Sequence, residues 1–462
     1  MEMNQPLIDY FRCPENFLQF QLAGPLSSDS GFFQFGPQTI CYGSTSSGFR
    51  SRSVTEPLHD ALADVEVGEG ALRLPLDPNE IIENLHRERY VHRDGLRSSR
   101  LTERPLVRSV YYGLRPLLPI HVRKHLQRLH VGDWQTIPFP HWPVDRTVEQ
   151  ILERLLVLAM KARGLERVPF VWFWPEGANS CAIMTHDVEE RAGRDFCSQL
   201  MDLDEAAGLK SSFQIVPEAR YPVPQVFLEE IRARGFEINI HDLNHDGRSF
   251  SSYAEFMRRV RRINQYGREY SALGFRSGAL YRNQAWYEAL EFSYDMSVPS
   301  VAHLESQRGG CCSLMPFFIG RILELPLTMI QDYPLFHILN DYSIDLWKRQ
   351  LSVITERHGL ASFIVHPDYI IAGRARATYQ ALLQHLARLR EERALWVALP
   401  GEVDRWWRER SQMTVVSDGT GWRIEGNGRE RARLAFANLV VGDTLTFTIE
   451  EGTERALRGR CH

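Results

Sequence analysis

His241 and His245, four residues apart, follow directly on an apolar run, Phe236-Glu237-Ile238-Asn239-Ile240. About fifty residues upstream a second apolar run ends in Thr185-His186-Asp187-Val188-Glu189. An acidic cluster and a histidine pair, each at the C-terminal end of a strand, can converge on one divalent metal. The spacing alone says little, because sixteen histidines in 462 residues give about half a chance pair at that separation. His121 and His125 are such a pair, set in Pro119-Ile120-His121-Val122-Arg123-Lys124-His125 with basic surroundings and no acidic strand end before them. Like charge nearby disfavours a cation, so that pair reads as a solvated helix face.

The elements that must position these residues show in the alternation of patterns between about residues 171 and 410. Strand-like apolar runs (Ala182 to Val188, Ser212 to Val216, Glu237 to Ile240, Gly274 to Arg276, Ile322 to Met329, Ser362 to Val365, Leu395 to Leu399) are separated by amphipathic segments. Phe227 to Arg234, Tyr253 to Tyr266 and Thr378 to Arg390 read as helices. This predicts an α/β fold of parallel strands with crossover helices, and seven such strands suit a deformed (β/α) barrel better than an open sheet. Active sites of barrels lie at strand C-termini, where Asp187, Glu189, His241, His245, Arg276 and His366 all fall.

Length, composition and flanking pattern bound the rest. The 462 residues exceed one ordinary domain. We divide them into an N-terminal accessory region (1–105) of short strands and turns, a helical linker (106–170) with an amphipathic run from Val148 to Ala162, the barrel (171–410) and a small C-terminal β module (411–462). In that module Met413 to Val416, Trp422 to Glu425, Arg431 to Ala435 and Thr444 to Ile449 read as strands. A net charge of -4 gives no reason to expect nucleic acid. Seven cysteines without a C-x-x-C, an odd number, are expected to be reduced. The first residues carry Asp9, Arg12 and Glu15 and lack the apolar core of a signal peptide, and no run is long enough to span a bilayer. The expectation is a cytoplasmic protein. The basic segment Arg108 to Arg128 reads as a surface helix packed on the barrel, although an interfacial helix giving peripheral membrane contact has the same composition.

In order and interval these segments resemble the polysaccharide deacetylases with NodB homology, carbohydrate esterase family 4. The resemblance covers about residues 181 to 408. Thr185-His186-Asp187-Val188-Glu189 stands where the family has T-F-D-D-G, and Gly208-Leu209-Lys210-Ser211-Ser212-Phe213 looks like its second strand. Gly235-Phe236-Glu237-Ile238-Asn239-Ile240-His241 to His245 is similar to G-x-E-I-x-x-H and the metal histidines. Gly274-Phe275-Arg276 matches the arginine strand, Tyr294-Asp295-Met296-Ser297 the next, and Val365-His366-Pro367 the final catalytic histidine. Two departures stand out: Val188 separates Asp187 from Glu189 where the family has adjacent aspartates, and Ser277-Gly278 after Arg276 contains no proline. Two registers therefore stay open. One makes Asp187 the base and Glu189 the metal carboxylate; the other puts His186 at the base position and Asp187 on the metal. The first is favoured because residues two apart on a strand share a face.

Two imidazoles and a carboxylate leave coordination positions open on a borderline-soft ion such as zinc, as in hydrolytic sites. The ion would polarise an acyl oxygen and acidify a water, with Asp187 taking the proton and His366 protonating the departing amine. The resemblance implies that Arg276 orients and charge-pairs the base. It also implies a carbohydrate substrate, an N-acyl amino sugar in a polysaccharide or its precursor. With no signal peptide, membrane span or disulfide set read in the sequence, the expected encounter is on the cytoplasmic side, where the extra modules could dock on polysaccharide assembly proteins. Two other classes remain open, an amidohydrolase acting on a non-sugar C–N bond and a non-catalytic carbohydrate-binding protein on a degenerate barrel.

Overall fold

The computed structural model describes residues 2–17, 19–68, 72–92, 131–417, 419 and 421–450. The basic segment 108–128, with His121 and His125, and Cys461 lie outside the described residues. The centre of the fold is a curled sheet of nine strands: β1 (Ser180–Val188), β2 (Ser212–Ile215), β3 (Glu237–His241), β4 (Gly274–Arg276), β5 (Tyr294–Asp295), β6 (Phe317–Ile319), β7 (Ile322–Glu324), β8 (Leu360–Ile364) and β9 (Leu395–Ala398). Eight run in the spatial order β6-β7-β5-β4-β3-β2-β1-β8, all parallel except β6, and β9 pairs with the first half of β1. The seven strand runs legible in the sequence are all among them; β5 and β6 complete the set.

The sheet nearly closes on itself. Leu327 N–H donates to the Val298 carbonyl at 2.9 Å and Met329 N–H to the Ser362 carbonyl at 3.3 Å, so the segment after β7 spans from the end of β5 to β8. The helices α1 (Arg191–Ala206), α2 (Gln225–Ala233), α3 (Tyr253–Glu269), α4 (Asp345–Glu356), α5 (Gly373–Glu391) and α6 (Pro400–Ser411) follow strands in the alternating pattern. α3 shows why they form where they do. Ser252 caps it by accepting from Glu255 N–H at 3.2 Å, and Phe256, Val260 and Ile263 bury one face at helical spacing.

β1 is buried along its whole length, and its period of two divides it between two cores. Ala182, Met184 and Val188 face the helices, while Cys181 and Ile183 join a second core. That second core is built with the helix Gln5–Phe11, the N-terminal strands, the helix Thr147–Ala162 and the aromatic run Phe170 to Trp174. Further along the same face the side chains turn polar, with Thr185 and Asp187. The barrel is thus packed with apolar groups at one end and lined with chemistry at the other.

Strand Arg167–Val171 pairs antiparallel with Leu434–Val440, which pairs in turn with Thr444–Ile449, and Thr414–Ser417 forms a hairpin with Trp422–Glu425. The six described cysteines are buried and free. Among the described residues no helix is long and apolar enough to cross a membrane.

Candidate metal centre and active site

Thr185 and Asp187 point into the barrel, and His186 points the other way. Its Nδ1 lies 3.0 Å from the Val365 carbonyl and its Nε2 3.2 Å from Asp204 Oδ2 of α1, in a fully buried contact. Tyr379 of α5 and Ser211 donate to the same Asp204 carboxylate. His186 therefore links strand to helices and takes no part in the polar cluster. Glu189, the first residue beyond β1, carries the cluster's most exposed carboxylate, at 16% against 4% for Asp187.

His241 ends β3 in register with Arg276 on β4, whose carbonyl lies 3.3 Å from His241 Nδ1. The chain then folds back through two residues with left-handed backbone, Asp242 (φ 57°) and His245 (φ 53°), a conformation few non-glycine residues adopt without cost. Asp242 is fixed by its N–H to the Arg276 carbonyl at 2.8 Å and by Ser249 Oγ donating to its carboxylate. The turn brings the His245 ring over that of His241, centroids 4.8 Å apart.

The three donors meet at Glu189. Its Oε1 lies 2.9 Å from His245 Nε2 and 3.5 Å from His241 Nε2. In a tetrahedral zinc site with bonds of roughly 2.0–2.2 Å, neighbouring ligand atoms are separated by about 3.3 Å. Both observed separations fall near that value. The Nε2 atoms of His241 and His245 are buried and have no well-aligned hydrogen-bond partner beyond their approach to Glu189, a state that a metal would relieve. Residues and geometry thus fit a divalent ion held by Glu189, His241 and His245.

Two further ion pairs flank the centre. Arg276, fully buried, donates through Nη1 to Asp187 Oδ1 at 2.6 Å and to Thr185 Oγ1 at 2.8 Å, and through Nε to the Met296 carbonyl at 3.0 Å. Burial pushes the Asp187 carboxyl up, but the charges of Arg276, His241 and His366 outweigh it and hold the group below the usual range. On the other side Asp332 takes both the Nδ1 and the backbone N–H of His366, each at 2.7 Å. Burial lowers the His366 imidazole, yet Asp332 and Glu189 together raise it well above its ordinary value. His366 Nε2 faces Glu189 Oε1 at 3.3 Å.

Asp187, Glu189, His241, His245, Arg276 and His366 are thus brought together around one centre. Asp332 was not singled out in the sequence. It lies eight residues beyond the end of β7, in the connection that leads to α4, so no strand end marks it.

No protein-family model and no curated protein matches the sequence. Solved structures match over about half of the chain. A protein of Mycobacterium smegmatis described as a polysaccharide deacetylase is 16% identical, with 52% of this chain and 93% of that one covered and a TM-score of 0.41. One from Bordetella bronchiseptica, described as a polysaccharide deacetylase involved in O-antigen biosynthesis, is 17% identical over 50% and 86% of the two chains with a TM-score of 0.31. A peptidoglycan deacetylase of Bacillus subtilis is 10% identical over 50% and 93%, with a TM-score of 0.33.

Proposed function

We propose that this protein is a divergent polysaccharide deacetylase with NodB homology: a metal-dependent hydrolase that removes N-acetyl or another acyl group from amino sugars of a polysaccharide or its precursor. One observation carries the reading. The donor atoms of Glu189, His241 and His245 converge between a carboxylate paired to arginine, Asp187, and an imidazole paired to carboxylate, His366.

Glu189, His241 and His245 would hold the ion, with zinc the expected occupant of two nitrogens and one oxygen. When bound, it supplies a Lewis acid that polarises the acyl oxygen and lowers the pKa of water towards neutrality. Asp187 accepts the proton of the attacking water on Oδ2, because Oδ1 is engaged by Arg276. Arg276 also fixes the carboxylate's orientation, since its other hydrogen bonds tie it to Thr185 and Met296. His366, with Nδ1 held by Asp332, presents Nε2 towards the centre and delivers its proton to the departing amine. A positioned general acid or base of this kind is worth about 10²–10⁴-fold each.

The test is metal analysis of freshly purified protein combined with acetate release from chitooligosaccharides and from a panel of cyclic amides. Stoichiometric zinc and acetate from the sugars are expected. Stoichiometric metal retained by a His241→Ala, His245→Ala double variant would sink the metal assignment, and turnover confined to the cyclic amides would sink the substrate assignment.

A further inference from the structure

Glu189 and His245 come from segments that have already left the sheet. The β1–β2 ladder ends at Val188 opposite Ile215, and the β3–β4 ladder at His241 opposite Arg276. Neither ladder fixes the separation of the two side chains, and His245 also holds an unfavourable backbone conformation. Something else must set that distance, and the turn after β2 is placed to do so.

Each nitrogen of the Arg220 guanidinium has a different partner. Nη2 donates to the His245 carbonyl at 2.6 Å, Nε to the Asn244 carbonyl at 3.2 Å, and Nη1 to Glu190 Oε1 at 3.0 Å. The next residue, Tyr221, donates its hydroxyl to the carbonyl of Val188, the residue between Asp187 and Glu189, and accepts from Val216 N–H at 3.1 Å. Glu218 N–H adds a bond to the Leu243 carbonyl at 3.1 Å. One five-residue turn, 217–221, therefore grips the backbone on both sides of the centre. We infer that Arg220 and Tyr221 are positioning residues that set the spacing of Glu189 and His245 and so hold the metal-binding group together.

The inference rests on the metal reading given above. An ordinary surface ion pair between Arg220 and Glu190 would be worth about 0–1 kcal/mol and would need no contact with the histidine loop. Here two of the three guanidinium bonds go to backbone carbonyls at and beside His245, with the Arg220 side chain only 24% exposed. A rigid planar fork satisfies two adjacent carbonyls and a carboxylate together, which the flexible point charge of lysine does not.

The test is zinc affinity by competition with a chromophoric chelator, alongside the Tm of the metal-free protein. It compares wild type with Arg220→Gln, Arg220→Lys, Tyr221→Phe and Glu190→Gln. Loss of groups that orient metal ligands typically costs about 10–100-fold in affinity. We expect that loss for Arg220→Gln and Tyr221→Phe at nearly unchanged Tm. Arg220→Lys should recover part of it, and Glu190→Gln should lose under about threefold because the carbonyl bonds persist. Wild-type affinity in both Arg220→Gln and Tyr221→Phe overturns the brace, as does an affinity loss matched by a fall in Tm, the mark of a merely structural role. If Arg220→Gln fails to fold, Tyr221→Phe decides alone. Wild-type protein that takes up no zinc overturns the functional reading itself, and the brace with it.

Discussion

Gly278 lies two residues after Arg276, on the wall behind His245. A β-carbon added there would stand 2.6 Å from Asp242 Oδ2 and 3.2 Å from His245 Cδ2. Since ordinary contact begins at 3.4 Å, the Asp242 carboxylate would have to retreat by roughly 0.8 Å. It has little room to do so: Asp242 is buried, its carboxylate accepts from Ser249, its N–H is tied to the Arg276 carbonyl, and its φ is already 57°. The glycine's own side is no softer, because Ala279 and Leu280 both have φ of 53°. The displacement therefore passes to His245 and to the loop that presents it.

Overpacking of this kind costs about 1–3 kcal/mol, and misplacing a reacting group by about 1 Å costs on the order of 10²-fold in rate. For Gly278→Ala we expect zinc affinity to fall about tenfold, kcat/KM for acetate release to fall roughly 10–100-fold, and unfolding free energy to drop by about 1–3 kcal/mol. Chelator competition, acetate release and urea titration read the three quantities separately. Gly421→Ala is the control, since a β-carbon there meets nothing within 4 Å and should change stability by under about 0.5 kcal/mol. Gly278→Ala with wild-type zinc affinity and an unchanged urea midpoint would refute the reasoning.

Other perturbations separate the roles. Asp187→Asn should keep the metal and lose turnover by roughly a hundredfold or more, whereas Glu189→Gln should lose most of the metal; the opposite pattern would establish the register with Asp187 as ligand. Asp332→Asn should leave metal content unchanged and lower kcat by roughly 10²-fold through misorientation of His366, and unaltered kcat would remove Asp332 from the mechanism. Glu149, on the helix Thr147–Ala162, gives a pH signature remote from the centre. Burial pushes its carboxyl up to about 7, although Ser313 Oγ and Leu314 N–H both donate to it. The folded state thus holds a proton that the unfolded chain loses near 4.5, so this contribution is complete below that pH and is lost as pH rises towards about 7. It amounts to roughly 3 kcal/mol at about 1.4 kcal/mol per unit of pKa. Glu149→Gln should flatten the slope of stability against pH in that window, and an unchanged slope in urea unfolding would contradict the assignment.

What could be read in the sequence divides along physical lines. β1 and β8 are buried on both faces and read as largely apolar runs, whereas β2 and β3 show through alternation, with Phe213, Ile215, Ile238 and Ile240 on the core face. β5 showed only through the family resemblance and not as an apolar run, because it is two residues long and one of them is the buried Asp295. Strand Arg167–Val171 was hidden by Pro169, which an ordinary reading rejects from a sheet; it is tolerated because this is an edge strand, paired only with Leu434–Val440. The read strand from Arg431 to Ala435 begins too early, since the observed one runs from Leu434 to Val440. Of the residues gathered around the centre, Asp187, Glu189, His241, His245, Arg276 and His366 were legible because they lie at or just past the ends of recognisable strands. Asp332, Arg220 and Tyr221 lie in connecting segments, where their partners are set by the closed fold and leave no periodic trace.

The distribution of charge also bears on which carboxylate takes the metal. Three buried or nearly buried carboxylates surround the centre. Asp187 is paired to Arg276, and Asp332 to the far nitrogen of His366. Only Glu189 has no cation of its own: its neighbours are the Nε2 atoms of His241, His245 and His366. A dication bound through Asp187 would sit beside the Arg276 guanidinium, whereas one bound through Glu189 would meet no arginine. The extra residue between Asp187 and Glu189 fits this division. It carries the second carboxylate past the end of the ladder and towards the histidine loop, so that one side chain stays anchored to Arg276 while the other would be free to bind an ion.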